Sequence, residues 1–236
     1  MKPQLQFRDA LQDALPIVIS GFVFGLVFGV LASKAGLSPL AATFMSLMVF
    51  AGASQFVAVE QWQSGQLSVV AIVMTTLLVN LRHLLMSLSL RPAFRNEPKR
   101  KLIPAFALLL IDETWALAEH RFKQSAPSLR YFVQAGLLIY FGWVGGTLLG
   151  TQLGSHIPRP TDFGLDFTFV AMFLSLMVLL WRRSLDFFTW LLSGVIAFYA
   201  AQLPGIGQAS VVIAAIIASA LVAALPQSGQ LEAGHE

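Results

Sequence analysis

The chain of 236 residues has no cysteine, which excludes a disulfide framework and any thiolate metal site. Charge is scarce: Asp, Glu, Lys and Arg make up 11% of the residues, against roughly 25% in ordinary soluble domains. The net charge of +3 is too small to suggest a nucleic-acid partner. No Gly-x-x-x-x-Gly-Lys-Ser/Thr run occurs, so nothing reads as an ATP-binding loop. No short-period repeat marks a solenoid. No metal-ligand or catalytic spacing is present around its acids, so neither a metal nor another cofactor is expected. What remains is apolar, at 56% of the chain.

That apolar content is organised. Candidate membrane spans fall at 14–33, 38–59, 66–90, 102–119, 131–153, 165–181, 185–203 and 207–225. The expected fold class is an all-α polytopic membrane protein with six to eight transmembrane segments, since a span takes about 20 apolar residues. Short linkers carry the breakers, among them Gly36 to Pro39, Pro92 to Pro98 and Pro158 to Pro160. Residues 1–225 read as one integral membrane transporter domain, its first helix retained rather than cleaved. Residues 226–236 read as a polar, disordered tail.

Loop charge makes two of these segments suspect. If all eight stretches cross, Lys and Arg divide seven to seven between the two sides, which gives the positive-inside rule nothing to act on. If 38–59 is broken or re-entrant and 102–119 does not fully cross, the division becomes twelve to two. Both suspect segments hold polar groups, and irregular backbone at membrane depth needs cover from protein or a watery cavity.

Those polar groups are the candidate site. An ionisable side chain at the centre of a bilayer costs roughly 2.5–3.5 kcal/mol on insertion scales. In Phe50-Ala51-Gly52-Ala53-Ser54-Gln55-Phe56, small residues allow an unwound turn whose Ser54 and Gln55 bind a polar substrate. Interhelical packing with two hydrogen bonds explains them equally. Asn80 and His83 lie three apart and share a helix face, while Arg82 points elsewhere. Arg82 is a substrate group or an ion-pair group; His83 is a proton acceptor or a hydrogen-bonded packing residue. Asp112 and Glu113 sit about 100° apart on a helix. One of them can pair with Arg82 while the other meets an amine or a proton, and Arg121 or His120 is the competing partner for Glu113. Gly21, Gly25 and Gly29 form a helix-packing face.

These stretches, taken together, resemble the AzlC family of branched-chain amino acid permeases. The resemblance runs in order through Leu15-Pro16, Ala35-Gly36-Leu37-Ser38, Met45-Ser46 and Phe50 to Phe56. It continues through Asn80-Leu81-Arg82-His83, Ser87 to Leu90, Asp112-Glu113-Thr114 and Gly164-Leu165-Asp166-Phe167. The family's central motif often reads Gly-Ser-Ala-Gln-Phe, so Ala53 and Ser54 are transposed here. An aromatic is common where Met86 stands. Both departures bear on substrate choice. The resemblance implies an exporter of leucine, isoleucine, valine and, by extension, methionine. It further implies a small hydrophobic subunit of the AzlD type and a place in the bacterial inner (cytoplasmic) membrane. A zwitterion with an apolar tail suits Arg82 and the acids, with Gln55, Phe50 and Phe56 nearby. Without an ATP site the energy comes from an ion gradient, protons most simply, or from the substrate gradient. The competing readings are a transporter of another small amphiphile, an intramembrane enzyme using His83, Asp112 and Glu113, and a structural subunit.

Overall fold

A computed structural model describes residues 5–63, 69–95, 97–154 and 184–201, with isolated positions between 156 and 174. Among the described residues all regular secondary structure is helical. The helices are α1 (Phe7–Lys34), α2 (Pro39–Val49), α3 (Gly52–Gln63), α4 (Val69–Leu90), α5 (Asp112–Gln124), α6 (Leu129–Gly154) and α7 (Ser184–Ala201). A 3-10 helix, Arg100–Leu109, precedes α5. The predicted spans 165–181 and 207–225 and the tail from 226 lie outside the described residues, isolated positions apart. The chain forms two compact units, residues 1–171 and 172–236. In the second, α7 takes up residues 185–201 of the predicted span 185–203.

Local chemistry sets the helix ends. Asp9 accepts from the Gln6 backbone N–H at 2.8 Å and starts α1. The helix ends where Gly36 takes φ +86°. Leu37 N–H then bonds Ala32 O at 3.0 Å and Gly36 N–H bonds Ser33 O at 3.1 Å, the paired closure that needs a left-handed residue. Two residues on, Ser38 caps α2 through the Ala41 N–H at 3.2 Å, with Pro39 in the first turn.

Helices α1 and α6 run parallel and touch backbone to backbone. The α6 glycines Gly142, Gly146, Gly150 and Gly154 face Val18, Phe22, Leu26 and Val30 of α1 in step. A methyl group on Gly29 would lie 2.9 Å from the Gly150 Cα and would strike the Thr147 carbonyl harder still. Gly25 and Gly29 therefore form the packing face read from the sequence. Gly21 sits at its edge, with only the Ile139 side chain near. Phe7–Lys34, Ile72–Leu90 and Leu129–Gly154 are, among the described residues, the three helices long and apolar enough to cross a membrane. Leu77, Leu81, Leu84, Leu85 and Leu88 remain exposed along α4. This apolar exterior is what a bilayer solvent requires.

Both suspect segments turn back on themselves. Segment 38–59 breaks at Phe50, whose φ and ψ are 42° and 43°, two residues before Gly52. Starting from the end of α1, α2 descends until Leu47 O accepts from the Tyr140 hydroxyl at 2.8 Å. Helix α3 then climbs back towards the start of α4. At 1.5 Å per residue, Tyr140 and Trp143 lie about 16–21 Å along α6 from Leu129, so this tip reaches mid-height. Segment 102–119 is not one helix. The 3-10 helix enters from the opposite end until Leu109 packs on Gly136, about 10 Å along α6. The chain turns at Leu110 and Ile111, and α5 returns.

The second end is fixed by cross-links. Arg121 clasps Asp13 through two hydrogen bonds of 2.5 and 2.6 Å, and the Tyr131 hydroxyl donates to Asp13 at 2.7 Å. Glu97 accepts from the Leu129 N–H at 3.3 Å. The start of α1, the loop 91–101 and the loop 121–130 thus share one end. They hold Arg8, five cations in 91–101 and three in 121–130, while Lys34 lies at the other end. Among the described residues this is nine cations at one end against one at the other, as expected if both segments turn back; Lys2, Arg159, Arg182 and Arg183 of the twelve-to-two count lie outside them.

Candidate functional site

The two turned segments bring their tips in from opposite ends, and α4 contacts both. On one side the Asn80 amide donates to Ser54 Oγ at 3.0 Å. On the other, Arg82 Nη1 and Asp112 Oδ2 are 2.9 Å apart. Both tips begin a helix, so the N-termini of α3 and α5 bring their positive dipole ends towards the middle. The spacing between Gly136 and Tyr140–Trp143 leaves roughly 6–10 Å between the tip levels.

Each tip is pinned. At the first, Phe50 packs edge-on against Tyr140 at 4.9 Å between centroids. Gly52 is a glycine because the Trp143 indole lies on it: an added Cβ would come within 2.8 Å of the ring. Phe56 stands edge-on to Phe28 at 5.6 Å and to Trp143 at 6.4 Å. At the second, Thr114 is buried; its hydroxyl donates to Leu109 O at 2.5 Å and accepts from the Ile111 N–H at 3.0 Å. That hydroxyl holds the turn and caps α5.

Of the residues singled out from the sequence, Ser54 and Asn80 meet, and so do Arg82 and Asp112. Arg82 takes the ion-pair role, with Asp112. His83 Nδ1 lies 3.1 Å from Asn80 O, one turn back. Glu113 belongs to neither ion pair, and its competing partner Arg121 is held by Asp13. Gln55 does not point to α4. Its side chain is fully buried and donates to Ser46 Oγ at 2.9 Å. Ser46 also meets Thr147 Oγ1 at 2.8 Å and receives the Trp143 indole N–H at 3.2 Å. Phe50 and Phe56 are buried packing groups in this state.

Several polar atoms here are buried without a protein partner: Gln55 Oε1, Asn80 Oδ1, Arg82 Nε and Thr43 Oγ1. An orphaned buried polar group costs about 1–3 kcal/mol. Of the two on α4, Asn80 Oδ1 can only accept and Arg82 Nε can only donate, so α4 offers positions for both signs of a ligand. Sequence reasoning missed Ser46, Thr147, Trp143, Thr114 and the Asp13–Arg121–Tyr131 clasp. A signal existed for the first three: the glycines of α6 recur every fourth residue from Gly142 to Gly154 and mark a face in close contact.

Opposed broken helices around a polar centre define an integral membrane protein of the transporter kind of architecture. The family described as AzlC protein matches residues 16–157, more than half of the chain, and the chain belongs to that family. An uncharacterized membrane protein of Helicobacter pylori is 34% identical over 179 residues, covering 75% of this chain and 77% of that one. The branched-chain amino acid transport protein AzlC of Bacillus subtilis is 30% identical, covering 75% and 68%. The inner membrane protein YgaZ of Escherichia coli is 29% identical, covering 75% and 74%. No solved structure matches the chain. Family membership supports a role in membrane transport.

Proposed function

We propose that this protein exports branched-chain amino acids, namely leucine, isoleucine, valine and methionine as a near neighbour, across the bacterial inner membrane. The observation that carries the reading is the centre between the two tips. A zwitterion needs donors for its carboxylate and acceptors for its ammonium, and the buried unpartnered atoms include both kinds. Arg82 and the N-terminus of α3 or α5 receive the carboxylate. Asn80 Oδ1 receives the ammonium. Transport is secondary active and proton-coupled, with Glu113, outside both ion pairs, as the acid that carries the proton. The end bearing Arg8 and the two basic loops faces the cytoplasm. A small hydrophobic subunit of the AzlD type completes the transporter.

Counterflow tests this. Liposomes holding the purified chain and loaded with unlabelled valine should accumulate labelled valine, with the small subunit raising the rate. Absence of valine counterflow with and without that subunit, alongside exchange of an organic acid, would transfer the site to another amphiphile.

A further inference from the structure

Residues 7–63 and 69–124 carry the same elements in the same order: a long apolar helix, a short first arm, a turn and a second arm. The arms Pro39–Val49 and Gly52–Gln63 recur 60 or 61 residues later as Arg100–Leu109 and Asp112–Gln124. A backbone bond at each turn recurs with them: Gln55 N–H bonds Ala51 O at 3.0 Å, and Trp115 N–H bonds Ile111 O at 2.9 Å. The two copies run in opposite directions, since α1 leaves the basic end and α4 returns to it. Inverted repeats of this kind hold substrate near mid-membrane, where the copies meet. The step that takes the buried Thr114 back to the buried Ser54 takes Asn80 back to Ser20, 60 residues in each case.

The height of Ser20 follows independently. Between Asp13 and Ser33 it is the only polar side chain of α1. It lies seven residues after Asp13, two turns on and on the same face of the helix. Thr114 lies seven residues before Arg121 on α5. The two helices run antiparallel from the Asp13–Arg121 clasp, so Ser20 stands level with the first turn of α5. Its neighbour Gly21 faces Ile139, which lies on α6 between Gly136 at the second tip and Tyr140 at the first. Ser20 is exposed, and its hydroxyl donates to Ile17 O at 3.0 Å, which leaves the oxygen lone pairs to accept. A serine against acyl chains would make the same backbone bond; the repeat and the clasp are what turn this one to the centre. We propose that Ser20 lines the central site from α1 as Asn80 does from α4, and that it accepts from the substrate ammonium. The ammonium contact rests on the amino acid reading given above, whereas the place of Ser20 in the wall does not.

The test uses the full cysteine-free chain in proteoliposomes. Ser20→Cys should react with a negatively charged methanethiosulfonate supplied on both sides, because only a hydrated thiol forms the reactive thiolate. Ile19→Cys is the control: Ile19 is 61% exposed, beside the exposed apolar Leu15 and Val23, and its thiol should stay unmodified. L-valine should slow the modification of Ser20→Cys severalfold, and L-lysine should not. Ser20→Ala should raise the KM for valine counterflow about tenfold, the worth of one hydrogen bond to a charged group, with little change in maximal rate or melting temperature. Ser20→Thr, which keeps a hydroxyl, should recover most of that affinity. Ser20→Cys as unreactive as Ile19→Cys would overturn the proposal, while valine counterflow by the wild type in the same vesicles would leave the transport reading standing. A wild-type KM in Ser20→Ala would overturn it as well. If the wild type exchanges no valine and Ser20→Cys still reacts where Ile19→Cys does not, the transport reading fails and Ser20 keeps its place in the wall.

Discussion

Replacing Arg82 with glutamine removes the positive member of the ion pair at the second tip. The pair is close, 2.9 Å, and its side chains are 28% and 20% exposed, so water screens it only in part. A charge-assisted hydrogen bond is worth about 1.5–3 kcal/mol, and each 1.4 kcal/mol is tenfold. Affinity for valine should therefore fall by about tenfold to a hundredfold if the substrate carboxylate meets Arg82. Loss of the pair also leaves Asp112 uncompensated, so the melting temperature should drop by several degrees. Arg82→Lys keeps the charge but loses the two-pronged geometry and should transport poorly. The reversed pair, Arg82→Asp with Asp112→Arg, separates structure from transport. It should recover the melting temperature and not the counterflow, because a cation on α5 no longer presents the guanidinium from α4. The readouts are labelled-valine counterflow in proteoliposomes and thermal unfolding in detergent, each at matched protein level. Wild-type counterflow by Arg82→Gln with an unchanged melting temperature would refute the reasoning.

Gly29→Ala should destabilise by about 1–3 kcal/mol through overpacking against the α6 backbone, whereas Gly194→Ala, with nothing within 4 Å of its added Cβ, should be neutral or up to about 1 kcal/mol stabilising; thermal unfolding of the two variants checks the contrast. At the first tip, Phe50→Gly should be more stable than Phe50→Ala by about 1–2 kcal/mol. Both lose the ring, but only glycine takes the left-handed backbone without strain, and the order of the two melting temperatures tests it. Because the chain lacks cysteine, single cysteines report topology without background. Lys99→Cys and Gln124→Cys should label from the cytoplasmic side with an impermeant maleimide, and Gln63→Cys from the outside; labelling of Lys99→Cys and Gln124→Cys from opposite sides would break the opposed-hairpin arrangement.

Much of this architecture was legible from residue types, and the misses have physical causes. The loop charges and the small-polar motif together marked 38–59 as broken. The break falls at Phe50 because Gly52 serves a different need, the approach of the Trp143 ring. The glycine signalled contact, and a phenylalanine took the strained turn because Tyr140 holds its ring and the Leu47 carbonyl. The Arg82–Asp112 pair was readable as one of two alternatives, since an unpaired charge at that depth is expensive. The direction of Gln55 was not readable: it sits about 100° round the helix from Ser54, and only the placement of α2 and α6 fixes which neighbour it meets. The Asp13–Arg121 clasp joins residues 108 apart in sequence, with no local pattern to reveal it.

The central claim is that the substrate sits between the two tips beside α4. Ile111→Cys puts a single thiol on the second tip, in a chain with no other cysteine. Its rate of modification by a small methanethiosulfonate reagent, measured in proteoliposomes with and without amino acid, tests the claim directly. Saturating L-valine should slow the reaction severalfold and L-lysine should leave it unchanged. An identical rate with and without valine, in protein that still performs valine counterflow, would contradict the account.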